Sequence, residues 1–283
     1  MISYPNCKIN LGLHVVGKRP DGYHDLETLF VPVHDLCDEL EILPTTHYPL
    51  PTISQDGIAL DNDPDDNLCM RAWRLLHDEF AIPPVSIRLK KGIPFGAGLG
   101  GGSADAAFTL KMLNEMFSLH LSDSDLERRA ARLGADCAFF IRNQAAYATG
   151  IGDRLEPIAL DLSPYRIVIE IPAGEHVSTK EAYAGLSFSN NSPSEIEGVD
   201  ANGGRGRMTS TNNQSRTLSR PDLREAVKRP IGEWKELIVN DFEASVFPSH
   251  PAIAALKDDL YRRGALYASM TGSGAAVFGI FFK

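Results

Sequence analysis

Five of the ten residues from Pro94 to Ser103 are glycine: Gly96, Gly98, Gly100, Gly101 and Gly102. Before them, Val85 to Leu89 alternates apolar and polar residues as a strand does, and after them Ala106, Leu110, Leu113 and Phe117 recur at helical spacing. A strand feeding a glycine loop that opens a helix near Ser103 is compatible with few architectures. Glycine lets the backbone take positive φ and come close to a ligand, while a helix start points unpaired N–H groups and the positive end of its dipole at the same spot. Polyphosphate suits that geometry, and a tight packing turn is the alternative that the glycines alone leave open. A Walker A loop is excluded because no lysine follows Gly102. Gly96, Gly98 and Gly101 satisfy the dinucleotide spacing, but that fold needs a strand after the helix. Here a second helical pattern follows, with Ser122 as N-cap, Asp125 three residues on, apolar Leu126, Ala130 and Leu133, and Gly134 as its stop.

The remaining segments read as a mixture of strands and helices. Lys8 to Val16 and Leu26 to Val33, separated by turn-rich Gly17 to Tyr23, predict a β-hairpin; Asp38 to Leu43 predicts a third strand, and Asn67 to Phe80 a helix. Ala145 to Ile158 predicts a second hairpin and Tyr165 to Ile171 a strand ended by Pro172. Two helices, about Leu223 to Asp241 and Pro251 to Arg263, lead into strands Ala265 to Met270 and Ala275 to Phe282 around the turn Thr271-Gly272-Ser273-Gly274. The domain boundary is placed near residue 160. The stretch from about 187 to 221 is rich in Ser, Asn, Gly, Thr and Arg, with too little apolar surface to offset the entropy of ordering it, and reads as a mobile loop.

Composition removes several function classes. With 28 Lys+Arg against 37 Asp+Glu among 283 residues the net charge is −9, which argues against a nucleic-acid partner. Four scattered cysteines without a CxxC pair indicate neither a disulfide framework nor a structural zinc, so no protein-held metal site is expected and a reducing cytoplasm fits. No apolar run reaches the ~18 residues of a membrane span.

Three segments together resemble the GHMP kinase superfamily. They are Asn6-Cys7-Lys8-Ile9-Asn10-Leu11 continuing to Arg19-Pro20-Asp21-Gly22-Tyr23-His24, then Pro94 to Ala107, similar to a Pro-x3-Gly-Leu-Gly phosphate loop, and Thr271 to Ala275, similar to a C-terminal glycine motif. Leu133-Gly134-Ala135-Asp136 resembles the segment carrying that family's catalytic aspartate. The first segment is closest to the branch acting on 4-diphosphocytidyl-2-C-methyl-D-erythritol.

The resemblance implies an α+β fold in two domains. Residues 1–160 would form a domain like ribosomal protein S5 domain 2 with the ATP loop, and residues 161–283 a ferredoxin-like domain. It implies transfer of the γ-phosphate of ATP, accompanied by Mg2+, to the 2-hydroxyl of that small-molecule acceptor. Asp136 and Lys8 would then be the catalytic pair, a carboxylate to take the hydroxyl proton and an ammonium to steady the developing charge. ATP would meet Pro94, Phe95, Gly96, Ala97, Gly98, Leu99, Gly100, Gly101, Gly102, Ser103 and Ala104, with Asn67, Leu68 and Lys91 on the adenine side. The acceptor would meet Asn10, Tyr23, His24, Thr179, Tyr183 and Gly272, with aromatic and imidazole groups for a cytosine. Taken alone, these residues have plainer readings: helix cap for Asn67, strand-end lysine for Lys91, turn residue for Asp136, surface residue for His24. His34, His77 and His250 are read as structural.

The chain departs from the family pattern in three places: Ala104 where a second hydroxyl is common, Cys137-Ala138 where Val-Pro is usual, and an end at Lys283 that reads as a short or trimmed C-terminal domain. Because the glycine loop does not select the acceptor, another GHMP kinase is the alternative enzyme, with Tyr23-His24 as the discriminator. A nucleotide-binding regulatory module is the alternative outside enzymes. The joint presence of Lys8 and Asp136 argues against it.

Overall fold

The computed structural model describes residues 1–45, 50–58, 66–186 and 221–283, so the loop expected at about 187–221 lies, but for Pro221, outside the described residues. The chain begins with β1 (Ile2–Ser3), then the long hairpin β2 (Asn6–Lys18) and β3 (His24–Cys37), followed by β4 (Glu39–Pro44) and β5 (Thr52–Gly57). The expected hairpin is therefore present, its turn closed by Arg19 and Tyr23. Next come α1 (Leu68–Phe80), capped by the Asn67 side chain accepting from Cys69 N at 2.9 Å, and β6 (Val85–Lys91). The glycine loop follows, then α2 (Gly101–Met116), preceded by Gly100 at φ 72°, and α3 (Asp123–Ala130), whose Ser122–Asp125 capping box matches the sequence expectation. Two helices in succession after the loop remove the dinucleotide alternative. Then α4 (Phe139–Arg142), β7 (Ala146–Thr149), β8 (Arg154–Pro157) and β9 (Tyr165–Glu170) lead to α5 (Thr179–Ala184). From residue 221 onward come α6 (Leu223–Ala226), α7 (Trp234–Leu237), α8 (Phe242–Val246), α9 (Pro251–Arg262), β10 (Tyr267–Met270) and β11 (Val277–Phe282).

Three sheets organise these elements: β1-β4-β6-β5, with β5 parallel to β6, and the antiparallel β2-β3-β7-β8 and β10-β11-β9. Alternation along β2 sends Cys7, Ile9 and Leu11 into a core shared with Trp234, Tyr267 and Phe278, and leaves Lys8 and Asn10 on the opposite face. Helices α1 and α2 cover the first sheet through Leu76, Leu110, Ile42 and Ile87. Such side chains contribute roughly 1.5–3 kcal/mol each on full burial. Among the described residues no helix is long and apolar enough to cross a membrane.

The single helix expected over Leu223 to Asp241 is broken. Pro230 lacks an N–H and cannot continue α6, a short 3-10 turn follows at Ile231–Glu233, and Ile238 is extended. Leu13 N bonds Val239 O at 2.9 Å and Asp241 N bonds Leu13 O at 2.8 Å, so this segment pairs with β2 instead of coiling. The expectation also missed β5, a polar edge strand with no apolar alternation to betray it.

Candidate active site

The glycine loop is held from two sides. Lys8 N donates to Leu99 O at 3.0 Å, and Ala276 N to Ala97 O at 3.3 Å. Gly98, at φ 77°, lies so close to the turn after β10 that a Cβ there would sit 2.2 Å from Thr271 O. A Cβ on Gly96 would meet the His176 ring at 2.8 Å, and one on Gly101 would meet Ile93 at 2.9 Å. Only Gly102 has room, with nothing nearer than Leu68 Cδ1 at 3.8 Å. The glycines at 96, 98 and 101 are thus required by packing within the protein, and Gly102 is the position where a ligand can approach. Helix geometry leaves the N–H groups of Gly101, Gly102 and Ser103 without intrahelical partners, since the first α2 bond runs from Ala104 N to Gly100 O at 2.9 Å. Ala104 itself is fully buried in the core and its N–H is engaged, so it leaves the phosphate-facing set.

Beside the loop opens a cavity of about 460 Å³ lined by Lys8, Asn10, Thr28, Phe30, Phe95, Gly96, Gly98, Gly100, Asp136, His176, Thr179, Tyr183 and Gly272, among others. Lys8 is 3 % exposed, its ammonium 2.6 Å from Asn10 Oδ1, 3.3 Å from Asp136 Oδ2 and over the Phe30 ring. Asn10 is fixed in turn: Nδ2 donates to Thr28 Oγ1 at 3.0 Å, and its backbone N–H donates to Thr271 Oγ1 at 2.9 Å. Asp136 is the more open partner, its side chain 30 % exposed. The structure therefore brings an ammonium and an accessible carboxylate to one wall of the cavity, next to the loop.

Within the lining Tyr183 meets Phe242 edge-on, and His24, just outside the lining, stacks on Tyr183 with ring centroids 4.4 Å apart and planes 18° from parallel. Burial, with the Lys18 charge adding, pulls the His24 imidazole below its ordinary value and keeps it neutral at pH 7. Burial likewise pushes the Tyr183 phenol up, helped by the Asp136 charge. Thr179 Oγ1 lies 3.3 Å from Ser273 Oγ, joining the start of α5 to the glycine turn. Tyr23 is 61 % exposed and stands outside this lining.

Four further residues of the expected ATP set make contacts within the protein. Asn67 uses its side-chain oxygen to cap α1, while Leu68 presents its methyl towards Gly102. The Lys91 ammonium is buried between Asp38 and Asp105, at 2.7 Å from Asp105 Oδ2. Ser103 hydrogen-bonds the buried Cys137 thiol, which burial raises to about 11. Thr28, Phe30 and His176 line the cavity but carried no sequence signal; Ser273, which also lines it, and Thr271 lie inside the C-terminal glycine motif yet read there as plain turn residues.

The chain matches the models for the GHMP kinases N terminal domain over residues 67–144 and the GHMP kinases C terminal domain over residues 221–283. It is 48 % identical over 282 residues to 4-diphosphocytidyl-2-C-methyl-D-erythritol kinase of Bacteroides thetaiotaomicron, covering 99 % of this chain and 92 % of the relative. The same-named protein of Cytophaga hutchinsonii is 43 % identical over 282 residues, with the same coverage. Among solved structures, a 4-(cytidine 5'-diphospho)-2C-methyl-D-erythritol kinase superposes with TM-score 0.71 at 31 % identity, over 99 % of this chain and 90 % of that one. A mevalonate kinase from Methanococcus jannaschii, at 13 % identity and TM-score 0.64, shares the fold.

Proposed function

This chain belongs to the 4-diphosphocytidyl-2-C-methyl-D-erythritol kinases, a branch of the GHMP kinases, and from that membership we propose that it transfers the γ-phosphoryl group of ATP to the 2-hydroxyl of 4-diphosphocytidyl-2-C-methyl-D-erythritol, a step of isoprenoid precursor synthesis. The observation that carries the mechanism is the Lys8–Asp136 pair at 3.3 Å beside the open start of α2. Asp136 takes the proton from the acceptor hydroxyl as it attacks. Lys8, held by Asn10, offsets the charge on the attacking and transferred oxygens. The N–H groups of residues 101–103 seat the phosphates, and Leu68 with the start of α1 borders the adenine side. Mg2+ neutralises the phosphates when bound. His24 and Tyr183 receive the cytosine, with Tyr23 positioned at the rim. The four free cysteines support a cytoplasmic setting.

ADP release from MgATP, measured with the cytidyl acceptor, mevalonate, homoserine and galactose in parallel, tests the reading. Turnover confined to the cytidyl acceptor supports it. Faster turnover of any other acceptor would transfer the chain's activity to a different GHMP kinase.

A further inference from the structure

Directly behind the first turn of α2 lies a charge cluster that the reaction does not use. Asp38, between β3 and β4, Lys91, at the end of β6, and Asp105, in α2, are 1 %, 4 % and 2 % exposed. The Lys91 ammonium binds both carboxylates and lies 3.4 Å from where a Cβ on Gly101 would stand. The two carboxylates are not equally provided for. Asp38 Oδ1 accepts from Gly92 N at 2.7 Å and from Ile93 N at 2.8 Å, the two residues that feed the loop. Asp105 Oδ1 is buried with no hydrogen-bond partner among the described residues. One buried ammonium against two buried carboxylates leaves one negative charge in excess, placed behind the backbone that receives phosphates.

We propose that this cluster takes up a proton when a polyphosphate binds on the loop, with Asp105 Oδ1 as the receiving atom and Asp105 as a positioning residue for the nucleotide. The inference rests on the reading of the loop as the phosphate seat. Added negative charge in front of the loop disfavours the excess charge behind it, and a proton from solvent on the one unpartnered oxygen removes that excess and supplies a donor between the two carboxylates. Other groups facing the cluster stay silent. Burial raises the Cys69 thiol of α1 above its usual range, and burial with the Cys37 charge pushes the Cys7 thiol of β2 up to about 12. Burial pulls the Lys91 ammonium down, but Asp105 and Asp38 outweigh it and keep it charged. Burial also raises the Asp105 carboxyl, to about 7, within reach of a neutral-pH proton. The next ammonium, Lys8, is bound to Asn10 and Asp136.

Titration calorimetry of the intact protein with the magnesium complex of the non-hydrolysable imido analogue of ATP, at about pH 7.5 in buffers of differing ionisation enthalpy, reads the proton directly. For a coupling of about tenfold the uptake peaks near half a proton per nucleotide, and Kd rises up to about tenfold between pH ~6 and ~9. Asp105→Asn should abolish the uptake and flatten that Kd profile. Asp136→Asn should retain both, which separates the cluster from the cleft carboxylate. Should Asp105→Asn not fold, Asp38→Asn, which also removes the excess charge, takes its place. Tight binding without proton uptake in the wild type, or uptake that persists in Asp105→Asn, overturns the inference while leaving the loop reading intact. Failure of the nucleotide to bind at all overturns the loop reading and this inference with it.

Discussion

Asp136 and Gly102 are the residues whose substitution separates chemistry from architecture. Asp136→Asn keeps shape and removes the proton acceptor, so kcat should fall roughly 100- to 10,000-fold with nucleotide affinity little changed. A loss under about tenfold in single-turnover assays would take Asp136 out of that role. The glycines divide along a different line. Gly102→Val meets open space in the protein and should leave the melting temperature within a few degrees while weakening ATP at least about tenfold. Gly98→Ala drives a methyl towards the Thr271 carbonyl at a φ that disfavours side chains, and should lower stability instead. Paired calorimetric and binding measurements on the two variants check both halves. The sequence made all the loop glycines look alike, because glycine's freedom is visible in a sequence and the atom occupying its missing side chain is not. Lys8 and Asp136 could be paired only through resemblance, since 128 residues of chain separate them. The Asp38–Lys91–Asp105 cluster had no comparable clue: it joins three segments, and Lys91 alone reads as an ordinary strand-end lysine.

At the scale of elements, α5 is a short helix on which one wall of the cavity depends. Ser178 caps it, Thr179 and Tyr183 face the cavity, and Glu181 and the nearby Glu175 both reach His250 at the entry to α9. With Nδ1 2.6 Å from Glu175 and Nε2 3.0 Å from Glu181, this imidazole serves both carboxylates only as a cation. The bonds to Glu175 and then Glu181 raise its folded pKa above the ordinary 6.5. The clamp's contribution is therefore fully present below that ordinary value and is lost as pH rises through the raised folded one. Hydrogen exchange across residues 175–185 should accelerate over that rise and the acceptor KM should climb with it, whereas His250→Gln should show fast exchange at every pH. Exchange in the wild type that ignores pH would remove the clamp. Elements whose identity rests on local chemistry were legible in the sequence: the capped α1 and α3, the β2–β3 hairpin, the strand before the glycine loop. Those decided by distant partners were not. The extended run at Ile238 exists because Leu13 pairs with it, and β5 exists because β6 offers a parallel edge.

For the molecule as a whole the question is whether the two halves drawn from the sequence at residue 160 unfold separately. The packing argues that they do not. One continuous core holds Ile9, Leu11, Val31 and Leu99 together with Leu223, Trp234, Tyr267 and Phe278, so the back of the sheet carrying Lys8 is covered by the C-terminal half. Polar links cross at the cleft as well: Thr271 Oγ1 accepts from Asn10 N at 2.9 Å, and Leu13 O accepts from Asp241 N at 2.8 Å, fixing the C-terminal half against β2. Separating the halves would bare that apolar face and orphan these groups, so neither half has a stable state of its own to populate. Scanning calorimetry should then show one transition with equal calorimetric and van't Hoff enthalpies. Trp234→Ala tests the same point from within the shared core, because the ring is 1 % exposed and packs edge-on against Tyr267. The substitution should cost about 3–5 kcal/mol and lower the single transition as a unit. If the variant instead melts in two steps, with the α2 half surviving at the wild-type temperature, the halves are independent and the cleft is an interface between separate folding units.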